Sequence, residues 1–313
     1  MAAEPPAGAD PAALDPRAAR RHFARAAATY DHAAVLQREI ALRMAERLDV
    51  VRLAPAAILD AGCGTGAALP ELALRYPAAR RVALDIALPM LAAARAKSTE
   101  RRSAFRRLLA PLAARSRNPA PVFVCGDLAA LPFAAASFDL LWSNLALQWV
   151  NDLPGALAEM HRVLRVDGLV SFTTFGPDTL RELRAAFAEV DGRPHVSRFV
   201  DMHDVGDLLV SVGFADPVMH MEQLTLTYAD AATLMHDLKA IGATNAAQGR
   251  ARGLMGRGRW SQLLAALERT RCSTGDGRLP ATFEVIYGHA WKAAPKRTAE
   301  GHAIVRLERR PRE

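Results

Sequence analysis

Cysteine is scarce and long apolar runs are absent in this chain of 313 residues. The three cysteines, Cys63, Cys125 and Cys272, are too few and too widely spaced for a disulfide framework, and they favour a reducing, cytoplasmic compartment. No window of about eighteen apolar residues predicts a membrane span. Residues 1–10 lack the basic and apolar regions of a secretory signal. The histidines show no metal-ligand spacing, so no metal site is predicted.

The composition is that of a globular protein, with 51% hydrophobic and 23% charged residues. The length predicts roughly two domains, or one large domain with insertions. Residues 1–16 are rich in alanine, proline and aspartate and are predicted to be disordered. The remainder divides into a helical segment (17–50), a first α/β segment (51–175), a second segment richer in helices (176–291) and a basic, flexible tail (292–313).

Short apolar runs alternate with helical stretches through the first half of the chain. Such alternation is typical of parallel βαβ units and predicts a doubly wound α/β sheet. The predicted strands are Ala57–Ala61, Arg81–Ile86, Val122–Asp127, Phe138–Asn144 and Gly168–Phe175, followed after several helices by Val218–Leu226 and Ala281–Trp291.

A glycine-rich turn follows the first predicted strand. Gly62, Gly64 and Gly66 would let the backbone turn tightly and approach a ligand. With Ala67 the segment also fits a relaxed dinucleotide fingerprint, but Asp60, two residues earlier, would repel a pyrophosphate. A carboxylate there favours a cofactor with a cationic amino-acid end, such as S-adenosylmethionine.

Polar residues also end the next three predicted strands. Asp85 stands 25 residues after Asp60, where an acid can accept hydrogen bonds from both ribose hydroxyls. Asp127, or the backbone N–H of Leu128, is expected to meet the adenine, and Asn144 ends the fourth strand. Ligands of open α/β sheets bind at the carboxyl ends of strands. These residues, together with Ile86 next to Asp85, are therefore predicted to form one cofactor site.

These motifs resemble the class I S-adenosylmethionine-dependent methyltransferases. Four further segments resemble one family within that class, the biotin-pathway malonyl-[acyl-carrier protein] O-methyltransferases. They are Phe23–Ala33, Trp142–Trp149, Asp191–Phe199 and Leu238–Asn245. The resemblance covers about residues 20–291. It implies a Rossmann-like, mostly parallel sheet with an antiparallel last strand, an N-terminal helical lid over residues 17–50, and helical insertions after strands 5 and 6 that cover the substrate.

The resemblance also implies O-methylation of the free carboxylate of a malonyl thioester, early in biotin (pimeloyl) biosynthesis. The partner would be malonyl-loaded acyl carrier protein or malonyl-CoA, with no nucleic acid, no membrane and a monomeric enzyme. Tyr30 would touch the cofactor or the reacting carboxylate. Arg198, Lys239 or Arg250 would orient that carboxylate, with Arg198 the first choice. His195 and His203 are expected to be structural or adjacent to the substrate.

A basic segment in this chain departs from the sequence pattern of that family. Seven arginines and lysines face one acid, Glu100, between Lys97 and Asn118, which gives this segment +6 of a total of +7. The segment is either a solvated insertion or a docking surface for an acidic partner such as acyl carrier protein.

Three other enzyme or binding classes are alternatives to this interpretation. One is a related methyltransferase-fold enzyme acting on another small carboxylate or on a protein arginine, as in complex I assembly. A nucleic-acid methyltransferase is disfavoured, because Ser143–Ala146 lacks the motif for an amino-group target and the basic segment lacks interleaved aromatics. A dinucleotide oxidoreductase is disfavoured by Asp60.

Overall fold

A computed structural model describes residues 10–108, 119–251, 253, 255–271 and 277–295, without side chains for 102–108. Its centre is a seven-stranded sheet of order β3-β2-β1-β4-β5-β7-β6. The strands are β1 (Ala57–Ala61), β2 (Arg80–Asp85), β3 (Val122–Cys125), β4 (Phe138–Asn144), β5 (Leu164–Phe175), β6 (Phe214–Tyr228) and β7 (Leu279–Lys292).

The first five strands pair in parallel, and β7 runs antiparallel between β5 and β6. Strands β1 and β4 match their predicted bounds residue for residue. All five residues of β1 are buried, because helices cover both faces of the sheet at its centre. The predicted doubly wound fold with an antiparallel last strand is confirmed.

Ten helices surround the sheet in the described part of the chain. They are α1 (Pro16–Ala26), α2 (Tyr30–Ala33), α3 (Val35–Glu46), α4 (Leu69–Arg75), α5 (Leu88–Leu108), α6 (Leu153–Val163), α7 (Arg181–Ala188), α8 (Met202–Ser211), α9 (Ala231–Ala240) and α10 (Arg257–Glu268). Aspartates begin four of them: the carboxylates of Asp15, Asp152, Asp201 and Asp230 accept backbone N–H bonds in the first turn. In the described residues no helix has the length and apolarity to cross a membrane.

The beginning of the described chain is held in place, although it falls within the stretch 1–16 that is predicted to be disordered. Leu14 is buried, and its backbone exchanges hydrogen bonds of 2.8 and 2.9 Å with the side-chain amide of Asn151. The N–H of Asp15 donates to the carbonyl of Ala246 at 2.7 Å. Burial of the apolar leucine and these long-range hydrogen bonds fix this segment. The local composition does not reveal such contacts, which explains the difference from the prediction. Residues 1–9 lie outside the described part.

Helix α5 is longer than predicted. The sequence pattern predicts a helix from Pro89 to Lys97, whereas α5 continues to Leu108 and carries the first part of the basic segment. Residues 109–118, the rest of that segment, lie outside the described residues, as does the tail beyond residue 295.

Candidate active site

The glycine turn after β1 has the geometry that only glycine adopts readily. The φ angles of Gly62, Gly64 and Gly66 are +82°, +52° and +77°. A Cβ atom on Gly62 would lie 2.3 Å from the Cβ of Ala146. The turn therefore packs directly against the segment after β4, with bare backbone between them.

Asp60 lies buried at the end of β1 beneath this turn. Its side chain is only 2% exposed, and its Oδ2 has no hydrogen-bond partner among the described residues. Burial, with a further contribution from the charge of Asp85, raises the pKa of Asp60 to about 8. Asp60 does not itself line the cleft above the turn. With this pKa, Asp60 is mostly protonated at neutral pH, and the carboxylate charge that the sequence predicts at this position is largely absent.

Asp85 closes the turn from the end of β2. Its Oδ2 accepts the N–H of Gly64 at 2.9 Å and its Oδ1 accepts the N–H of Ala87 at 2.8 Å. Burial raises the pKa of Asp85, and these N–H bonds act in the opposite direction. Each oxygen retains acceptor capacity beyond its one bond, so the carboxylate can still receive hydroxyl groups of a ligand.

The ends of β3 and β4 form the opposite wall. Asp127 is exposed, and its Oδ1 accepts the N–H of Ala129 at 2.9 Å. Asn144 donates to the carbonyl of Gln37 at 3.1 Å and accepts from the hydroxyl of Thr173 at 2.8 Å. Both ends of the Asn144 amide therefore already bind protein groups, and this residue ties the sheet to α3.

These walls enclose a cleft of about 640 Å³ at the carboxyl ends of the strands. Seven of the predicted cofactor residues line it: Gly62, Gly64, Asp85, Ile86, Asp127, Leu128 and Asn144. Two of these are acidic, and the described lining contains no arginine, lysine or histidine. Asp85 and Asp127 therefore make the cleft suitable for a cationic ligand. This fits S-adenosylmethionine, whose sulfonium and ammonium groups are positive, better than a dinucleotide pyrophosphate.

The short helix α2 covers this cleft and brings Tyr30 to it. Asp31 fastens α2, because its two carboxylate oxygens accept from the Thr65 hydroxyl at 2.6 Å and from the Lys97 ammonium at 2.7 Å. Tyr30 lines the cleft, and its Cε1 lies 4.0 Å from the Cβ position of Gly64. Burial and the charges of Asp85 and Asp31 raise the pKa of Tyr30. The phenol is therefore neutral and able to donate a hydrogen bond at physiological pH.

A second, larger cavity of about 1250 Å³ adjoins the cleft. Its walls are mainly apolar side chains of α7, α9 and the loop between α7 and α8. Four residues line both spaces and form their boundary: Phe23, Tyr30, Leu145 and Trp149. We call these four residues the shared ring. The two spaces therefore meet at these four residues.

The two segments that most specifically resemble the family meet in this cavity. The Asn245 side chain donates to the carbonyl of Pro194 at 2.7 Å, which joins 238–245 to 191–199. The imidazole of His195 lines the cavity, stacks on Phe187 with ring centroids 3.8 Å apart and binds Asp191 at 2.7 Å. These contacts fix His195 in the wall. His203 lies at the surface beside Asp201.

The three candidate cations occupy different places. Arg198 is exposed and does not line the cavity, although its neighbours Ser197 and Phe199 do. Arg250 lies away from the cavity lining, where it pairs with the N-cap Asp15 at 3.1 Å. Lys239 alone of the three lines the cavity. The structure thus favours Lys239 over the first choice, Arg198, and the role of each remains a prediction.

Sequence reasoning missed several residues of the site. Phe23 and Leu145 belong to the shared ring, and Gln37 and Thr244 line the larger cavity. Leu145 has a φ of +51°, an unusual value for leucine, which turns the chain toward Gly62 after β4. Phe23, Leu145 and Thr244 lie inside the segments that carry the resemblance, which is the available signal. Gln37 lies outside them and has none.

Comparison with known proteins agrees with this geometry. A methyltransferase domain model matches residues 59–172. A malonyl-[acyl-carrier protein] O-methyltransferase of Gallionella capsiferriformans is 52% identical over 94% of this chain and 96% of its own length. One of Laribacter hongkongensis is 56% identical over 88% and 89%. The fold is similar to that of the YcgJ protein of Bacillus subtilis, with a TM-score of 0.54 at 16% identity, covering 81% of this chain and all of that one.

These two relatives are similar over 94% and 88% of this chain. A methyltransferase domain and an acidic cleft at the strand ends both indicate S-adenosyl-L-methionine as the methyl donor. The chain belongs to the malonyl-[acyl-carrier protein] O-methyltransferase family and is an S-adenosyl-L-methionine-dependent methyltransferase.

Proposed function

We propose that this enzyme methylates the free carboxylate of a malonyl thioester on acyl carrier protein, an early step of biotin (pimeloyl) biosynthesis in the cytoplasm. One observation carries the proposal beyond the relatives' names. The cofactor cleft meets, across the shared ring, a cavity walled by the two segments that most specifically resemble this family. The two spaces would hold the methyl donor and the acyl acceptor, respectively.

The chemistry makes modest demands on the protein. S-adenosylmethionine supplies the methyl group on a sulfonium that is its own leaving group. The malonyl carboxylate is ionised at neutral pH and needs no general base. What remains is alignment of the nucleophile and exclusion of water. Residues 17–50, including α2 and Tyr30, would serve as the lid that provides both.

Tyr30 and Lys239 would position the carboxylate. The hydroxyl of Thr29 donates to the carbonyl of Ala240 at 2.9 Å, so the chain neighbours of Tyr30 and Lys239 are in direct contact. Tyr30 and Lys239 both line the larger cavity, and this contact supports a shared role for them in holding the carboxylate. Lys239 is exposed, so it would attract and orient the anion without holding it tightly.

The enzyme is proposed to act as a monomer that binds one acyl carrier protein. The basic segment 97–118 would steer this acidic protein toward the site. Lys97 already contacts the lid through Asp31. Malonyl-CoA, which has the same acyl group without the acidic protein, would be the weaker substrate if steering contributes.

The direct test is conversion of malonyl-acyl carrier protein to its methyl ester by the purified protein, followed by intact mass. Acetyl-acyl carrier protein is the matched control, since it lacks only the terminal carboxylate. The proposal requires a methyl increment on the malonyl form alone. Equal methylation of the acetyl form, or none of either, would reject it.

A further inference from the structure

The larger cavity is far bigger than a three-carbon acyl group requires. The space measures about 1250 Å³ with its open mouth included, and most of its lining is leucine, phenylalanine and other apolar side chains. Its lining comes from α7, α9, the loop between α7 and α8 and the segment after β4, so the space extends beyond the reach of a three-carbon group. Under the proposed function, the malonyl group must lie next to the shared ring, so the remaining space has to take another part of the substrate.

Three of the polar side chains in this wall have an unpartnered oxygen atom. Gln37, Gln148 and Thr244 line the cavity, and each leaves a buried side-chain oxygen without a hydrogen-bond partner in the described structure. A buried polar group without a partner costs about 1–3 kcal/mol. Three such groups in residues that line one cavity make these residues the candidates for hydrogen bonds to a ligand that enters it.

The orientation of the Gln148 amide shows what that ligand must offer. The Nε2 of Gln148 donates to the carbonyl of Leu145 at 2.8 Å. A carbonyl oxygen can only accept, so the amide cannot be reversed and Oε1 remains the unpartnered atom. An oxygen of this kind needs an N–H or O–H donor. It would repel a carboxylate and gain nothing from a thioester carbonyl.

Acyl carrier protein and coenzyme A carry acyl groups as thioesters on a phosphopantetheine arm, and this arm offers such N–H donors. It contains secondary amides, each with one N–H, separated by methylene groups and a dimethyl-substituted carbon. We propose that Gln148, with Gln37 and Thr244, accepts the amide N–H groups of this arm while the apolar walls cover its hydrocarbon parts. The inference rests on the proposed function and assigns these three residues to binding of the arm.

Two small substrates test the proposal: the malonyl thioester of N-acetylcysteamine, and the malonyl S-(4-oxopentyl) thioester, in which CH₂ replaces the N–H. The expected wild-type preference in kcat/KM for the amide is roughly 2- to 12-fold, the contribution of one neutral hydrogen bond. Gln148→Met, Gln37→Met and Thr244→Val remove the acceptors one at a time. At least one of them should bring the ratio close to one, mainly through KM.

The control variant is Gln262→Met, which replaces an exposed glutamine on α10 and should keep the wild-type ratio. S-adenosylmethionine affinity, measured by calorimetry, should be unchanged in all four variants, which separates arm binding from a folding defect. The inference is overturned if all three cavity variants retain the wild-type ratio. It is also overturned if the wild type methylates malonyl-acyl carrier protein but discriminates neither small thioester. Failure to methylate any malonyl thioester would instead reject the proposed function.

Discussion

Asp60→Asn is the substitution that most sharply tests the electrostatics under the cofactor cleft. The variant keeps the shape of the side chain and removes its titration. The ordinary pKa of 3.8 rises to about 8 in the folded protein through burial and the nearby charge of Asp85. Between these two values the native state binds a proton that the unfolded state has lost. The stability associated with this proton is present in full below pH 4 and disappears as the pH rises through 8.

The magnitude follows from the linkage relation. One proton changes the free energy of unfolding by about 1.4 kcal/mol per pH unit. Between pH 5 and pH 7 the cofactor-free wild type should therefore lose about 3 kcal/mol relative to Asp60→Asn. Other groups titrate in both proteins and cancel in the difference. Urea unfolding of both proteins at pH 5, 6 and 7 provides the measurement. Parallel stability curves would show that Asp60 is ionised throughout this range and would refute the reasoning.

Three further predictions concern the ligands. Asp85→Ala should weaken S-adenosylmethionine binding by about 1–3 kcal/mol in calorimetry, because hydrogen bonds to its carboxylate are lost; unchanged affinity would exclude the ribose assignment. Lys239→Met should lower kcat/KM for malonyl thioester by roughly 5-fold, the scale of an exposed ion pair. Arg198→Met should leave kcat/KM nearly unchanged. A larger loss in Arg198→Met than in Lys239→Met would restore Arg198 as the partner of the carboxylate. At saturating cofactor, kcat should be flat from about pH 6 to 8, because the nucleophile is already ionised; a steep rise through pH 7 would indicate a titrating base, with His195 the nearest candidate.

The sheet could be predicted from sequence because its signals are local. The runs Ala57–Ala61 and Phe138–Asn144 are apolar, short and bounded by turn residues, and both became strands with those bounds. Burial on both faces leaves few other structures for such runs. The fixed position of Leu14 depends instead on a contact with Asn151, which lies far away along the chain.

The cofactor residues were easier to predict from sequence than the residues that would bind the substrate carboxylate, for the same reason. The cofactor residues follow strand ends, so the topology brings Asp85 and Asp127 to one cleft as expected. The basic residues predicted to bind the substrate carboxylate do not follow strand ends, so the topology does not fix their positions. Arg198 and Arg250 are close in sequence to cavity residues, but their side chains lie elsewhere, since packing of individual loops decides their direction.

The central claim is that a carboxylate oxygen, held across the shared ring from the cofactor, receives the methyl group. The most direct measurement uses S-adenosylmethionine with a ¹³C-labelled methyl group and malonyl-acyl carrier protein, followed by carbon NMR of the product. Malonyl thioesters also have an acidic central carbon, so the position of the label is informative. The account predicts a single methyl ester signal that alkali removes. A label on carbon that survives alkali, or on the carrier protein itself, would contradict it.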